Sequence, residues 1–410
     1  MTTTAQQTAR RGAASGFGAR AVSALGALTA AIVLGAPAQA AAPKNPPPEL
    51  AAEKLTTATL AGRAGERIYV ADVAISHIVD GRLRVFDAKA GKLVGMINTG
   101  FAGNFALSAK ADEIYVATTY NSRGGRGDRA DVLEVWDAET LGFKREVLLP
   151  PKRAQTLNYR GLVRATGNGR FVLVQNATPA TSITVVDLAE NKVAGEIASP
   201  GCWGTLPSAS QGTRFAMLCG DGKIATVTLD DKGQVADRQL SEKLFDADTD
   251  AWFHTAEQLG DRHWFLSFKG VLTEVDVSGP TAAVKSTRDL MKGAPQTQGW
   301  RPGGYQALAV HPSGRWAVVA MHDKGREGSH KTPAKQLWTF DLQSGKRIAA
   351  SPGLNTASLT FSRSGKRLQA LDGVAGALNV WAWNDGKPLG KPAVVVKPAG
   401  EAALQLESHD

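Results

Sequence analysis

The chain repeats itself. Seven times a turn and an apolar strand are followed by a second strand that usually ends in Asp, and few folds accommodate that alternation over most of a chain. The second strand reads Leu83-Arg-Val-Phe-Asp87, Leu133-Glu-Val-Trp-Asp137, Ile183-Thr-Val-Val-Asp187, Ile224-Ala-Thr-Val-Thr228, Leu272-Thr-Glu-Val-Asp276, Leu337-Trp-Thr-Phe-Asp341 and Leu378-Asn-Val-Trp-Ala382. Apolar residues alternate with others within each run, the period of a half-buried strand. Asp at such a position bonds its own backbone two residues on and starts a turn.

The preceding phrase is a polar turn opening an apolar strand, as in Thr166-Gly-Asn-Gly-Arg-Phe-Val-Leu-Val174, His311-Pro-Ser-Gly-Arg-Trp-Ala-Val-Val319 and Ser362-Arg-Ser-Gly-Lys-Arg-Leu-Gln-Ala370. Two hairpins per repeat, at a mean spacing of about 49 residues, match a four-stranded propeller blade better than any solenoid period. The expectation is an all-β, seven-bladed β-propeller with four-stranded blades. A length of 410 residues would ordinarily suggest two or three domains, but no linker interrupts the repeats, so residues 57–410 are read as one domain. Near the C-terminus, Ala402-Ala-Leu-Gln-Leu-Glu407 echoes the strand Asn104-Phe-Ala-Leu-Ser108. An extra terminal strand is what closing such a ring requires.

The first forty residues do not belong to the repeats. Arg10, Arg11 and Arg20 make a positive n-region, Ala21 to Ala36 is a small apolar stretch, and Ala38-Gln39-Ala40 is an A-x-A cleavage site. Residues 1–40 are therefore read as an export signal cleaved after Ala40, its apolar run being too short to span a bilayer. Residues 41–56, with Pro43, Pro46, Pro47 and Pro48, are read as an extended arm. Cleavage removes those three arginines and no acids, lowering the net charge from +9 to +6. With no Lys/Arg block interleaved with aromatics, that mild excess gives nucleic-acid binding no support, and the reading is of a chain free of membrane and nucleic acid.

Only two cysteines are present, Cys202 and Cys219. A hairpin turning near Ser210-Gln211 places them opposite each other, and export brings them into an oxidising compartment. There is no C-x-x-C and no neighbouring His cluster, so a structural disulfide is expected, not redox or metal chemistry.

Catalytic signatures are missing from the chain: it contains no G-x-S-x-G elbow, Walker loop, H-E-x-x-H or EF-hand loop. Its seven histidines are scattered over different repeats and its carboxylates are dispersed. Two segments stand out. Arg123, Arg126 and Arg129 are spaced by three within a Gly-rich loop, either a grip for an acidic partner or a solvated loop with internal ion pairs. The 65-residue interval from Asp276 to Asp341 holds Gly299-Trp-Arg-Pro-Gly-Gly304 and Ser329-His-Lys-Thr-Pro333. Long inserts on repeat proteins tend to lie on one face and carry function. Trp300, Arg301, His330 and Lys331 are accordingly candidates for a subunit interface, the alternative being a packed connecting loop.

Several segments carry a resemblance. Leu133-Glu-Val-Trp-Asp137, Leu148-Leu-Pro-Pro-Lys-Arg153, Leu157-Asn-Tyr-Arg-Gly161, Gly201-Cys-Trp203, Cys219-Gly-Asp-Gly222, Trp300-Arg-Pro-Gly-Gly-Tyr305 and His330-Lys331 together resemble the heavy chain of aralkylamine (aromatic amine) dehydrogenase, and more distantly that of methylamine dehydrogenase. The resemblance implies a periplasmic heterotetramer of two heavy and two light chains. It further implies that the light chain carries the tryptophan tryptophylquinone cofactor and the catalytic base, so that this chain holds no catalytic residue, no metal and no cofactor of its own. A primary amine would be oxidised to aldehyde and ammonia, with electrons passing to a cupredoxin of the azurin or amicyanin type. Thr99-Gly-Phe-Ala-Gly-Asn104 matches the family segment whose phenylalanine lines the substrate channel, which puts Phe101 at the entrance; otherwise Phe101 is one more core aromatic. The competing reading of the whole chain is a stand-alone exported propeller, a binding module or lactonase-like hydrolase.

Overall fold

The computed structural model describes residues 51–54, 66–293 and 299–409. The chain divides into two units, Met1–Thr56 and Thr57–Asp410. Of the first, only 51–54 are described, exposed and outside any helix or strand; the export leader and the rest of the Pro-rich arm lie outside the described residues.

The second unit is all-β. Its one described α-helix is the four-residue turn Ala247–Asp250, capped by the Asp246 carboxylate. The strands pair antiparallel in groups of four, as in Val163–Ala165, Phe171–Asn176, Ser182–Asp187 and Lys192–Ala198. This is the sheet architecture of a β-propeller. Two sixteen-residue strands, Lys92–Leu107 and Lys346–Phe361, each serve two groups in turn. Lys92–Gly100 runs along Gly81–Asp87, whereas Phe101–Leu107 pairs with Glu113–Asn121.

The repeated Asp does what its chemistry dictates. Asp87, Asp137, Asp187, Asp276 and Asp341 each accept a hydrogen bond from the backbone N–H two residues on, at 2.8–2.9 Å. Each turn then leads to the next strand.

Apolar residues on facing sheets form the core layers. Tyr115, Leu133 and Val135 of one group meet Val163, Val172 and Val186 of the next. Each such side chain, taken from water, contributes about 1.5–3 kcal/mol. The same packing joins the two ends of the unit, where Ile68, Val70 and Phe86 share a cluster with Leu371, Leu378, Val380 and Leu406. Leu406 lies in the last strand, Ala403–His409, which runs antiparallel to Arg67–Asp72. Asp72 fixes its start by accepting from the N–H groups of Glu401 and Ala402, both at 2.8 Å.

Cys202 and Cys219 are bonded, directly opposite each other on the paired strands Cys202–Pro207 and Arg214–Cys219, with Cα atoms 3.9 Å apart. The hairpin read from the sequence places them so.

Candidate functional site

In a group of four antiparallel strands, the chain enters the first strand at the end of the sheet that also carries the turn between the second and third. Phe101 begins a first strand, and the Arg123 to Arg129 loop joins the second and third strands of that group. Arg301 to Gln306 leads into another first strand, Leu308–Val310, and His330-Lys331 lies in the corresponding turn of that group. Strand direction therefore gathers these scattered candidates at the same ends of their sheets.

The backbone at Phe101 is built to a fixed shape. The register slips between Phe101 and Asn104, Ala102 has φ +48°, and Gly100 has φ +54°. A Cβ on Gly100 would sit 2.5 Å from Thr118 Oγ1, so only glycine fits there. Arg153 locks the bulge from the next connection: Nη2 donates to the Phe101 carbonyl and Nη1 to that of Ala102, each at 2.9 Å. Asn158 Nδ2 donates to the Gly103 carbonyl. The Phe101 ring, half-buried, stands on this framework.

Arg153 is only 3% exposed, and its burial is answered by Asp131. The Arg153 N–H donates to Asp131 Oδ2 at 3.1 Å, Thr119 Oγ1 bridges the two side chains, and Arg129 holds both Asp131 oxygens from Nε at 2.8 Å and Nη2 at 2.6 Å. Burial pulls the Arg153 guanidinium down to about 10, opposed by Asp131 and reinforced by Arg129, so it stays charged at neutral pH. Arg129 is thus committed inside the chain, while Arg123 and Arg126 stand exposed at the loop tip.

Around Tyr159 three connections meet. Its ring packs edge-on against His254 at 4.5 Å between centroids and lies 6.0 Å from Tyr305. Lys331 Nζ sits 5.5 Å from the centre of the Tyr305 ring, and the His330 carbonyl accepts from the Gly304 N–H at 2.9 Å. These residues, with Trp252, Arg301 and Glu327, line a cleft of about 830 Å³. Burial drives the His254 imidazole down to about 4, with Lys331 and His330 adding to the depression, so the ring is neutral at pH 7. Its Nε2 is buried without a hydrogen-bond partner among the described residues. The cleft has neutral aromatic walls and a rim of mixed charge, with Arg301, Arg326 and Lys331 beside Asp248, Asp250 and Glu327.

Of the four insert residues, Arg301, His330 and Lys331 line this cleft. Trp300 departs from the reading of it as a surface anchor. It is 4% exposed and packs against Trp338 at 5.1 Å between ring centroids, inside the apolar layer it shares with Leu337 and Phe340.

Sequence reasoning did not single out Arg153, Tyr159, His254 or Tyr305. It also missed a buried ion group: Arg160 donates to Glu407 from Nε at 2.8 Å and to Glu257 from Nη1, although these partners lie 247 and 97 residues away. Burial raises both carboxyls. Arg160 and Arg164 outweigh it at Glu407 and hold that group below the usual range, whereas at Glu257 burial prevails. Among the described residues no group of three or more His, Cys, Asp or Glu is placed to hold a metal ion.

The fold and this face define a propeller-type chain whose loop ends form a cleft of aromatic and charged residues. The family model for the methylamine dehydrogenase heavy chain (MADH) matches residues 64–395. The chain belongs to the methylamine dehydrogenase heavy chain family. It is similar to the methylamine dehydrogenase heavy chain of Methylophilus methylotrophus, 26% identical over 285 residues and 69% of each chain. A second relative, that of Paracoccus versutus, is 25% identical over 294 residues, covering 69% of this chain and 65% of the relative. Among solved structures, the periplasmic gluconolactonase of Pseudomonas aeruginosa superposes with a TM-score of 0.58 at 16% identity, covering 84% of this chain and 98% of that one. A β-propeller domain from Myceliophteria thermophila gives 0.55 at 11% identity, covering 82% and 99%. These two share the fold.

Proposed function

We propose that this chain is the large, non-catalytic subunit of an amine dehydrogenase whose tryptophan tryptophylquinone resides in a separate light chain. The single observation that carries this reading is the family match across residues 64–395. When bound, that quinone supplies the two-electron oxidation of the amine. This chain's residues supply walls and position: the Phe101 bulge fixed by Arg153, and the Tyr159, His254 and Tyr305 cleft with Lys331 at its lip, form the surface on which the light chain docks. Phe101 shapes the amine's path, and an aromatic side chain there favours aralkyl amines.

Around this surface, the four-stranded groups are seven blades of a ring, shut by the C-terminal strand; the shared cluster of Val70, Val380 and Leu406 supports that closure. Two heavy and two light chains assemble in the periplasm after removal of residues 1–40, and electrons leave to a cupredoxin.

Purifying the protein from its native host tests the reading. Co-elution of a small disulfide-rich chain with quinone absorbance, and faster turnover of 2-phenylethylamine than of methylamine, are expected. A chromophore-free heavy chain with no companion sinks the assignment. Faster turnover of methylamine would leave the subunit role standing and remove the aromatic preference. The lactonase-like structures share the fold at low identity, and no residue of this chain singles out their chemistry.

A further inference from the structure

The ion group of Arg160 forms part of the wall of a second cavity, of about 420 Å³, at the other end of the first strands. Phe101 starts its strand on the loop side, and Ala106, Leu107 and Ala109, further along, border this cavity. A partner resting on the Tyr159 face would leave this end accessible.

Its charges are unevenly committed. Glu407 accepts from Arg160 through both oxygens, at 2.8 and 3.2 Å, and Glu257 accepts from the third nitrogen of the same guanidinium. Arg160 also donates to the Leu406 carbonyl at 3.1 Å. All three nitrogens of that guanidinium are engaged. Arg164, further along the chain, faces the same cavity, yet its buried Nε has no hydrogen-bond partner among the described residues. Arg363 stands at the mouth, exposed, holding the Ala109 carbonyl at 2.8 Å through one nitrogen. Burial depresses the Arg164 guanidinium; Glu407 counters this, while Arg160 and Arg363 add to it. Three guanidinium groups thus share two carboxylates, both of which are already bound to Arg160.

We propose that this cavity is an anion site, in which Arg164 and Arg363 together bind a small oxyanion, a phosphate or a short dicarboxylate. A planar guanidinium presents paired N–H donors that match an oxyanion's geometry. The surplus positive charge gives such a ligand a net attraction, and the enclosed setting strengthens it relative to bulk water. The role is independent of any amine chemistry on the opposite face.

Titration calorimetry on the full chain, in a chloride buffer of constant ionic strength, tests this with sodium phosphate in one arm and sodium succinate in the other. Saturable one-site binding in either arm supports the site and identifies the kind of oxyanion. Replacing one charge-assisted donor set, in Arg164→Gln, is expected to weaken that binding roughly tenfold or more. Arg363→Gln, at an exposed position where folding is not at stake, should weaken it as well, whereas Arg123→Gln at a distant loop tip should not. Absence of saturable heat in both arms overturns the proposal, as does equal affinity in Arg164→Gln. If Arg164→Gln fails to fold, Arg363→Gln decides, and unchanged affinity there overturns it.

Discussion

Arg153 and Phe101 are 52 residues apart in the chain, and the guanidinium of the first holds the carbonyl of the second at 2.9 Å. The hydrogen bond ties a strand-entry bulge to the connection that leaves the same four-stranded group, and the same guanidinium reaches Ala102, Ala154 and Thr119. Replacing Arg153 by Met leaves these acceptors unmet in a buried place. The expected loss is about 3–5 kcal/mol, read from urea denaturation. Arg153→Lys keeps the charge but has three N–H donors and no planar fork for the four acceptors, and should lose less. Equal stability of wild type and Arg153→Met would show the network to be idle.

Phe101→Ala removes the ring but leaves the backbone bonds of the bulge intact. In the assembled dehydrogenase, the ratio of kcat/KM for 2-phenylethylamine over methylamine should shift by roughly tenfold, the effect of a few methylenes in an apolar passage. An unaltered ratio in a normally assembled complex would make Phe101 a packing residue.

The C-terminal strand should contribute more than a tail. Deleting 402–410 removes the pairing with Arg67–Asp72 and takes Glu407 from Arg160. A buried Arg160 left with Glu257 alone is expected to destabilise by about 3–5 kcal/mol. A thermal melt at the wild-type temperature would reject this role. Glu407→Gln, which keeps the strand, separates the ion pair from the strand pairing.

The Cys202–Cys219 bond closes a short loop, with a sequence separation of 17. On the chain-entropy account it stabilises by about 3 kcal/mol, so the Cys202→Ala/Cys219→Ala protein should melt several degrees lower, and reductant should lower the wild type to match. If the double variant melts with the wild type, the bond is dispensable.

Stability should fall on mild acidification. His263 is fully buried, with Nε2 3.0 Å from the Pro207 carbonyl, and burial lowers it from the ordinary 6.5 to about 4. Between those values the unfolded chain takes up a proton that the folded chain refuses, so stability declines as pH falls through this window and levels off below it. The loss is on the order of 3 kcal/mol. His254, lowered to about 4 in the same direction, adds to the decline in the same window. Denaturation midpoints at a series of pH values should show the decline, and His263→Gln should flatten it. A wild-type profile level between pH 6.5 and 4 would contradict the burial argument.

The features legible in the sequence are the local ones. Period-2 runs and an Asp two residues before its bonded N–H are set by neighbours in the chain, so strands, turns and the Cys202 to Cys219 hairpin could be read directly. The shared segments around Leu133, Tyr159 and Trp300 carried the family, because side-chain identity survives in a sequence even where its role is hidden. Arg301, His330 and Lys331 could be chosen from an unusually long insert, and the structure sets them along one cleft.

Tertiary structure decided which scattered residues meet. Nothing local distinguishes Arg160 from a surface arginine, nor Glu257 and Glu407 from solvated carboxylates. Only the convergence of first strands from distant repeats buries all three together. The burial of Trp300 against Trp338 was settled in the same way. Strand formation depends on alternation along one segment, whereas the partners of a buried charge depend on how sheets from distant repeats pack together. The sequence therefore determined the repeat and its family; packing determined which of its charges are held and which remain available to a ligand.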